Sequence, residues 1–117
     1  MLVVDDHDLP RNALSDAVAA TPGFELVGAV CSGPEALELV VSDTAPQLVL
    51  LDVQMPGMDG IETARRIGRL RRNVTVVLLS AHDFGPGFER GSLAVLYKGD
   101  VTPEWLTALW DRRCCSD

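Results

Sequence analysis

Four short apolar runs of the sequence each lead into side chains that could take part in chemistry. These side chains are Asp5 with Asp6, then Asp52, Ser80 and Lys98. If the runs are neighbouring parallel strands, their carboxyl ends lie at one edge of a sheet, where open α/β sheets bind their ligands. The spacing therefore predicts a single site that contains three carboxylates, a hydroxyl and an ammonium group.

Such a set of groups favours phosphoryl chemistry at Asp52. Three carboxylates held close together repel one another unless a cation intervenes. An oxygen-only set with an open face suits Mg²⁺, and Lys98, which is the only lysine of the chain, supplies a second cation. A carboxylate can act as the nucleophile in phosphoryl transfer, which needs positioning and charge neutralisation above all. The Ser80 hydroxyl could then donate a hydrogen bond to a phosphoryl oxygen.

The elements that would position these residues alternate along the chain. The patterns predict strands over residues 1–4, 24–30, 48–51, 74–79 and 93–97, with helices over residues 8–20, 36–42, 60–70 and from residue 102 onward. Asp8, Ser32 and Asp59 are the predicted capping residues of the first three helices. Strands that alternate with helices predict a doubly wound five-stranded parallel sheet with helices on both faces.

Composition narrows the class of protein. A chain of 117 residues that is 47% hydrophobic has room for one domain, residues 1–117. Its net charge of −7 argues against direct binding of nucleic acid, and no apolar run approaches membrane-spanning length. The three cysteines, Cys31, Cys114 and Cys115, form no disulfide framework or metal-binding spacing, so we expect a cytoplasmic protein.

The motifs around these residues resemble a known family. Val3–His7, Leu51–Gly60, Leu79–Ala81 and Leu96–Lys98 together resemble the response-regulator receiver domain of two-component signalling systems. The details of residues 5–7 and 98–104 are most similar to the branch with helix-turn-helix output. The resemblance implies strand order 2-1-3-4-5, as in the flavodoxin-like fold.

The same resemblance implies a role for each site residue. Asp52 would be the phosphoacceptor, Ser80 the switch hydroxyl and Lys98 the partner of phosphoryl or carboxylate oxygens. Asp6 would be a direct Mg²⁺ ligand and Asp5 would act largely through metal-bound water, while Asp52 and the backbone carbonyl of Gln54 complete the metal site. The implied phosphoryl donor is a sensor histidine kinase or a small acyl phosphate, and the phosphorylated domain would relay its signal by a conformational or oligomeric change. It would catalyse only its own phosphorylation and slow dephosphorylation. A homodimer is compatible with the sequence, which does not select a dimer face.

The chain also departs from the family pattern between Ser80 and Lys98. That segment is shorter than in most relatives by about one helical turn, and it contains Gly85-Pro86-Gly87. We therefore expect the fourth helix of the family to be shortened or missing. The departure motivates an alternative function, a degenerate receiver that acts as a phosphorylation-independent interaction module.

Two further alternatives depend on single residues. An aspartyl phosphohydrolase usually needs a second acid two residues after its nucleophile, and here that position is Gln54. His7 and His82 lack the spacing of a zinc pair, and we interpret both as solvent-facing or supporting residues rather than metal ligands.

Overall fold

The computed structural model describes residues 1–42, 46–53, 57–71, 73–80, 89–90 and 93–115. Six strands lie in this part of the chain: β1 (Leu2–Val4), β2 (Gly28–Val30), β3 (Leu48–Asp52), β4 (Thr75–Ser80), β5 (Glu89–Arg90) and β6 (Leu93–Tyr97). The helices are α1 (Asp8–Ala19), α2 (Gly33–Val40), α3 (Gly60–Leu70) and α4 (Pro103–Cys115). A short 3₁₀ turn, Lys98–Asp100, joins β6 to the segment before α4.

The strands form one sheet in the order β2-β1-β3-β4-β6-β5. Every pairing among β1, β2, β3, β4 and β6 is parallel, whereas β5 pairs with β6 in the antiparallel direction. The predicted count of five strands is therefore wrong, because the two residues of β5 add a strand at the edge beside β6. Two residues carry too little periodicity for a sequence pattern to reveal them.

Side chains that alternate along the strands build a hydrophobic core on each face of the sheet. Leu2 and Val4 of β1 belong to a cluster with α2 and α3, whereas Val3 belongs to a second cluster that includes residues of α1 and α4. The central strand β3 is buried along its whole length and contributes to both clusters. Burial on both faces explains why its sequence is continuously apolar up to Asp52.

Two of the three predicted helix caps, Ser32 and Asp59, are present, and Thr102 caps the last helix as well. The Asp59 carboxylate accepts a hydrogen bond from the Glu62 backbone N–H at 2.9 Å, and the Ser32 and Thr102 hydroxyls cap α2 and α4 in the same way. The prediction that Asp8 caps α1 is wrong. His7 is the N-cap residue and makes no side-chain cap, while Asp8 lies in the first turn and pairs with Arg11 at 2.5 Å.

Two other predictions concern element length. The strand predicted over residues 24–30 is limited to Gly28–Val30, and Phe24 instead packs against the cluster on the α1 face. The predicted shortening or loss of the fourth helix concerns residues 81–88, which lie outside the described residues. Among the helices that the structure describes, none is both long enough and apolar enough to cross a membrane.

Candidate functional site

Three aspartates meet where β1 and β3 end. The two strands are parallel neighbours in which Val4 pairs with Leu51, so the residues that follow them emerge side by side. The Asp5 and Asp52 side chains are 0% and 4% exposed, and that of Asp6 is 22% exposed. One oxygen of each carboxylate and a ring nitrogen of His7 lie within 4.8 Å of one another. These four residues are the acidic cluster.

Lys98 brings an ammonium group to this cluster from a strand that is not adjacent to β1 or β3. It directly follows β6, which is separated from β3 by β4, and its side chain is only 11% exposed. Its Nζ lies 2.5 Å from Asp5 Oδ2 and 3.4 Å from Asp52 Oδ2. Lys98 therefore offsets part of the charge of two buried carboxylates, which would otherwise be costly to bury.

Ser80 and Gln54 complete the set of predicted site residues. Ser80 is the last residue of β4 and is 3% exposed. The partner of Asp52 on β4 is Leu79, so Ser80 lies one position beyond it at the same edge of the sheet. The predicted metal ligand on Gln54 lies outside the described residues.

His7, which we interpreted from the sequence as a solvent-facing or supporting residue, lies directly beside the three carboxylates. Its Nδ1 lies 3.0 Å from Asp6 Oδ1, 3.4 Å from Asp5 Oδ1 and 3.9 Å from Asp52 Oδ2. Its ring is nevertheless 64% exposed, so one side faces solvent while Nδ1 faces the acidic cluster. The sequence feature that could have indicated its place at the site is its position directly after Asp5 and Asp6.

Backbone contacts hold the cluster in place. The Asp5 backbone N–H donates to the Val30 carbonyl at 3.0 Å, and the Arg11 guanidinium donates to the Asp5 carbonyl at 3.0 Å. On the other strand, the Val53 N–H donates to the Leu79 carbonyl at 2.9 Å. Both aspartate-bearing segments are therefore tied to neighbouring elements beyond their own strand ladders.

The start of α3 also lies against the carboxyl end of β3. The Gly60 N–H donates to the Val53 carbonyl at 3.2 Å. A Cβ on residue 60 would lie 2.1 Å from the Asp52 carbonyl oxygen and 2.7 Å from Val53 Cα. Only glycine allows the two backbones to approach so closely.

The donor atoms fit a divalent cation such as Mg²⁺. Asp6 Oδ1 is buried and makes no hydrogen bond within the part of the chain that the structure describes. A buried carboxylate oxygen without a donor is costly unless a cation satisfies it. The cluster opens into a cavity of about 540 Å³, lined by Asp6, His7, Asp8, Leu9, Pro10, Asp52 and Lys98. A hydrated ion that keeps several waters suits such an open site.

Several curated proteins are similar to this chain. Response regulator GacA from Pseudomonas protegens is 34% identical over 113 residues, which cover 93% of this chain and 53% of GacA. Transcriptional regulatory protein LiaR from Bacillus subtilis is 31% identical over 113 residues, which cover 93% of this chain and 53% of LiaR. The chain thus spans about half the length of these relatives.

Solved structures agree with this relationship. The signal receiver domain of a NarL response regulator from Mycobacterium tuberculosis is 36% identical, with a TM-score of 0.72 over 94% of this chain and 91% of that one. The receiver domain of the histidine kinase CKI1 from Arabidopsis thaliana, complexed with Mg²⁺, is 26% identical, with a TM-score of 0.73 over 95% and 88%. The response regulator receiver domain pattern itself matches residues 1–91. The chain therefore belongs to the response regulator receiver domain family.

Proposed function

We propose that this chain is a receiver that accepts a phosphoryl group on Asp52 from a sensor histidine kinase in a Mg²⁺-dependent reaction. The observation that carries the proposal is the position of Lys98, whose ammonium contacts both Asp5 and Asp52 although it comes from a distant strand. A mostly buried lysine between two carboxylates at the carboxyl end of a strand is not explained by solubility. Pairing with a charged phosphoryl group on Asp52 would explain it. Signal relay would follow by a conformational or oligomeric change in the cytoplasm.

The proposed roles follow from the contacts. Asp5, Asp6 and Asp52, with the Gln54 carbonyl, would hold Mg²⁺, which offsets negative charge on the phosphoryl oxygens when it is bound. An Asp52 carboxylate oxygen forms the new bond to phosphorus while the bond from phosphorus to the kinase imidazole nitrogen breaks. The imidazole leaves with the electron pair and takes up a proton from solvent.

Lys98 and Ser80 would act on the product of this transfer. The Lys98 ammonium lies 3.4 Å from Asp52 Oδ2, close enough to pair with a phosphoryl oxygen attached there. Ser80, buried at the end of the neighbouring strand, would donate its hydroxyl proton to a second phosphoryl oxygen. Turnover of other phosphate esters is not expected, because Gln54 cannot serve as the general acid for their leaving groups.

Intact mass spectrometry tests the proposal directly. Incubation with Mg²⁺ and acetyl phosphate should add one phosphoryl group to the wild-type chain and to D16N, which changes an exposed aspartate on α1. The same treatment should add none to D52N or to wild-type protein in EDTA. A wild-type chain that stays unmodified with acetyl phosphate and with a cognate kinase would refute the proposal.

The antiparallel edge strand β5 favours a second candidate function. Glu89 and Arg90 pair with β6 and add an antiparallel strand that the strand order implied by the family resemblance does not contain. A receiver with an extra strand at this sheet edge could bind a partner without a phosphorylation-dependent conformational change, as the degenerate receiver hypothesis requires. Sedimentation with and without beryllofluoride separates the two candidates, since an unchanged oligomeric state together with unchanged partner binding favours the interaction module.

A further inference from the structure

We propose that His7 Nδ1 is a direct ligand of the divalent ion at the acidic cluster and shifts the preference of the site from Mg²⁺ toward Co²⁺ and Ni²⁺. The inference rests on the proposed function, because it concerns the same ion. It adds a nitrogen donor to a site that otherwise offers only oxygen. Among the described residues, His7 is the one histidine near the cluster.

The distances from Nδ1 to the three carboxylates are those of ligands that share one ion. Octahedral coordination with bonds of about 2.1 Å separates neighbouring ligands by about 3 Å and opposite ligands by about 4.2 Å. Nδ1 lies 3.0 Å from Asp6 Oδ1, 3.4 Å from Asp5 Oδ1 and 3.9 Å from Asp52 Oδ2. All three separations fall within that range, so one ion can contact Nδ1 together with these carboxylate oxygens.

The contact between His7 and Asp6 is also short without being a hydrogen bond. Although the two atoms are 3.0 Å apart, Asp6 Oδ1 makes no hydrogen bond within the described part of the chain. Neighbouring ligands direct their lone pairs at the shared ion and not at each other, which gives a short contact without donor alignment. A cation between them would satisfy both atoms.

Main-chain contacts hold His7 beside the cluster. The His7 N–H donates to Asp5 Oδ1 at 2.9 Å, and its carbonyl accepts from the Arg11 N–H at 3.1 Å as the first bond of α1. The residue is thus fixed between the strand and the helix that follows. Because the ring is largely exposed on its other side, it leaves room at the ion for water or a phosphoryl oxygen.

The chemistry of imidazole sets the direction of the preference. Affinity at a mixed nitrogen and oxygen site rises from Mn²⁺ through Co²⁺ to Ni²⁺, while Mg²⁺ prefers oxygen ligands alone. Loss of the nitrogen should therefore weaken Ni²⁺ and Co²⁺ binding much more than Mg²⁺ binding. We expect His7→Ala to lower Ni²⁺ affinity at least about tenfold and Mg²⁺ affinity less than about threefold.

Two measurements on the untagged chain test the assignment. Electron spin echo modulation of bound Mn²⁺ reports a directly coordinated ¹⁴N nucleus, and isothermal titration calorimetry gives the Ni²⁺ and Mg²⁺ affinities. His7→Ala removes the proposed donor and should leave helix capping unchanged, since His7 makes no side-chain cap. His82→Ala removes the only other imidazole of the chain and serves as the control.

The outcomes separate this inference from the function on which it rests. A ¹⁴N coupling in wild type and H82A that disappears in H7A, with the selective loss of Ni²⁺ affinity, supports the inference. If wild type binds Mn²⁺ without ¹⁴N coupling and D6N loses that binding, the inference is overturned while the proposed metal site stands. Mn²⁺ binding that D6N does not affect overturns both, because the ion would then lie elsewhere.

Discussion

Replacement of Asp52 by asparagine should stabilise the metal-free protein, although we expect it to abolish the proposed phosphorylation. The Asp52 carboxylate has an oxygen within 4.8 Å of oxygens on Asp5 and Asp6. At an effective dielectric constant of about 20, each such repulsion is about 3.5 kcal/mol, whereas the attraction to Lys98 at 3.4 Å is about 4.9 kcal/mol. The two repulsions together exceed the attraction by about 2 kcal/mol. Relief of burying the charge adds to this gain, so D52N should raise the free energy of unfolding by at least about 2 kcal/mol.

Replacement of Lys98 by methionine should have the opposite effect. The ammonium is the partner of Asp5, which is fully buried, and it also contacts Asp52. Removal of one partner of a buried ion pair leaves an uncompensated charge and costs about 3–5 kcal/mol. The two substitutions remove charges of opposite sign from one site, so their stability changes should differ in sign.

Urea unfolding in EDTA and then in Mg²⁺ measures both effects. Mg²⁺ at a hundred times its dissociation constant should stabilise wild type by about 2.7 kcal/mol and D52N by much less. The exposed-site variant D16N should behave as wild type under both conditions. If D52N and K98M destabilise the metal-free protein equally, the electrostatic reasoning is wrong.

Three further predictions concern the scaffold of the site, each measured as a change in the free energy of unfolding. Gly60→Ala should destabilise the protein by more than about 3 kcal/mol, because the new Cβ would lie 2.1 Å from a backbone oxygen of β3. Gly68→Ala on the same helix is the control: its Cβ would meet no atom within 4 Å, and the substitution should stabilise the protein by about 0.5–1 kcal/mol. Equal effects of the two would contradict the close approach. Asp59→Ala should cost about 1 kcal/mol through the lost cap to the Glu62 N–H, and an unchanged midpoint would show that the cap contributes nothing. Leu106→Ala should cost about 2–5 kcal/mol, because this fully buried side chain packs α4 onto the sheet, and a cost below about 1 kcal/mol would mean that α4 docks through other contacts.

The elements that position the site were predictable because their signals are local. Helix α3 begins and ends where the capping residue Asp59 and the apolar stripe predict, at Gly60 and Leu70. The unbroken apolar run of β3 predicted a strand buried on both faces. The three carboxylates and Lys98 were predicted to meet because parallel strands bring their carboxyl ends to one edge. The structure brings the carboxylates within 4.8 Å of one another and places Lys98 Nζ against Asp5 and Asp52.

What escaped prediction depends on geometry that residue types do not specify. The position of the His7 ring follows from the backbone turn between β1 and α1, and nothing in its neighbours' identities sets the direction of Nδ1. Strand β5 is too short to show periodicity, and its pairing is with the edge of β6, which the local sequence does not encode. The close approach at Gly60 could be suspected from its residue type, but the atom it avoids belongs to another element.

The contact of Gly60 with the end of β3 has a consequence for protein engineering. The Asp52 end of β3 and the first turn of α3 share one junction, which is closed by the hydrogen bond from the Gly60 N–H to the Val53 carbonyl and by the close approach of Gly60 to the Asp52 backbone. A transplant of Asp52, the proposed phosphoacceptor, into another parallel α/β scaffold would have to carry this strand end and helix start together. An aspartate grafted alone would keep its charge but lose the backbone contacts that orient its side chain.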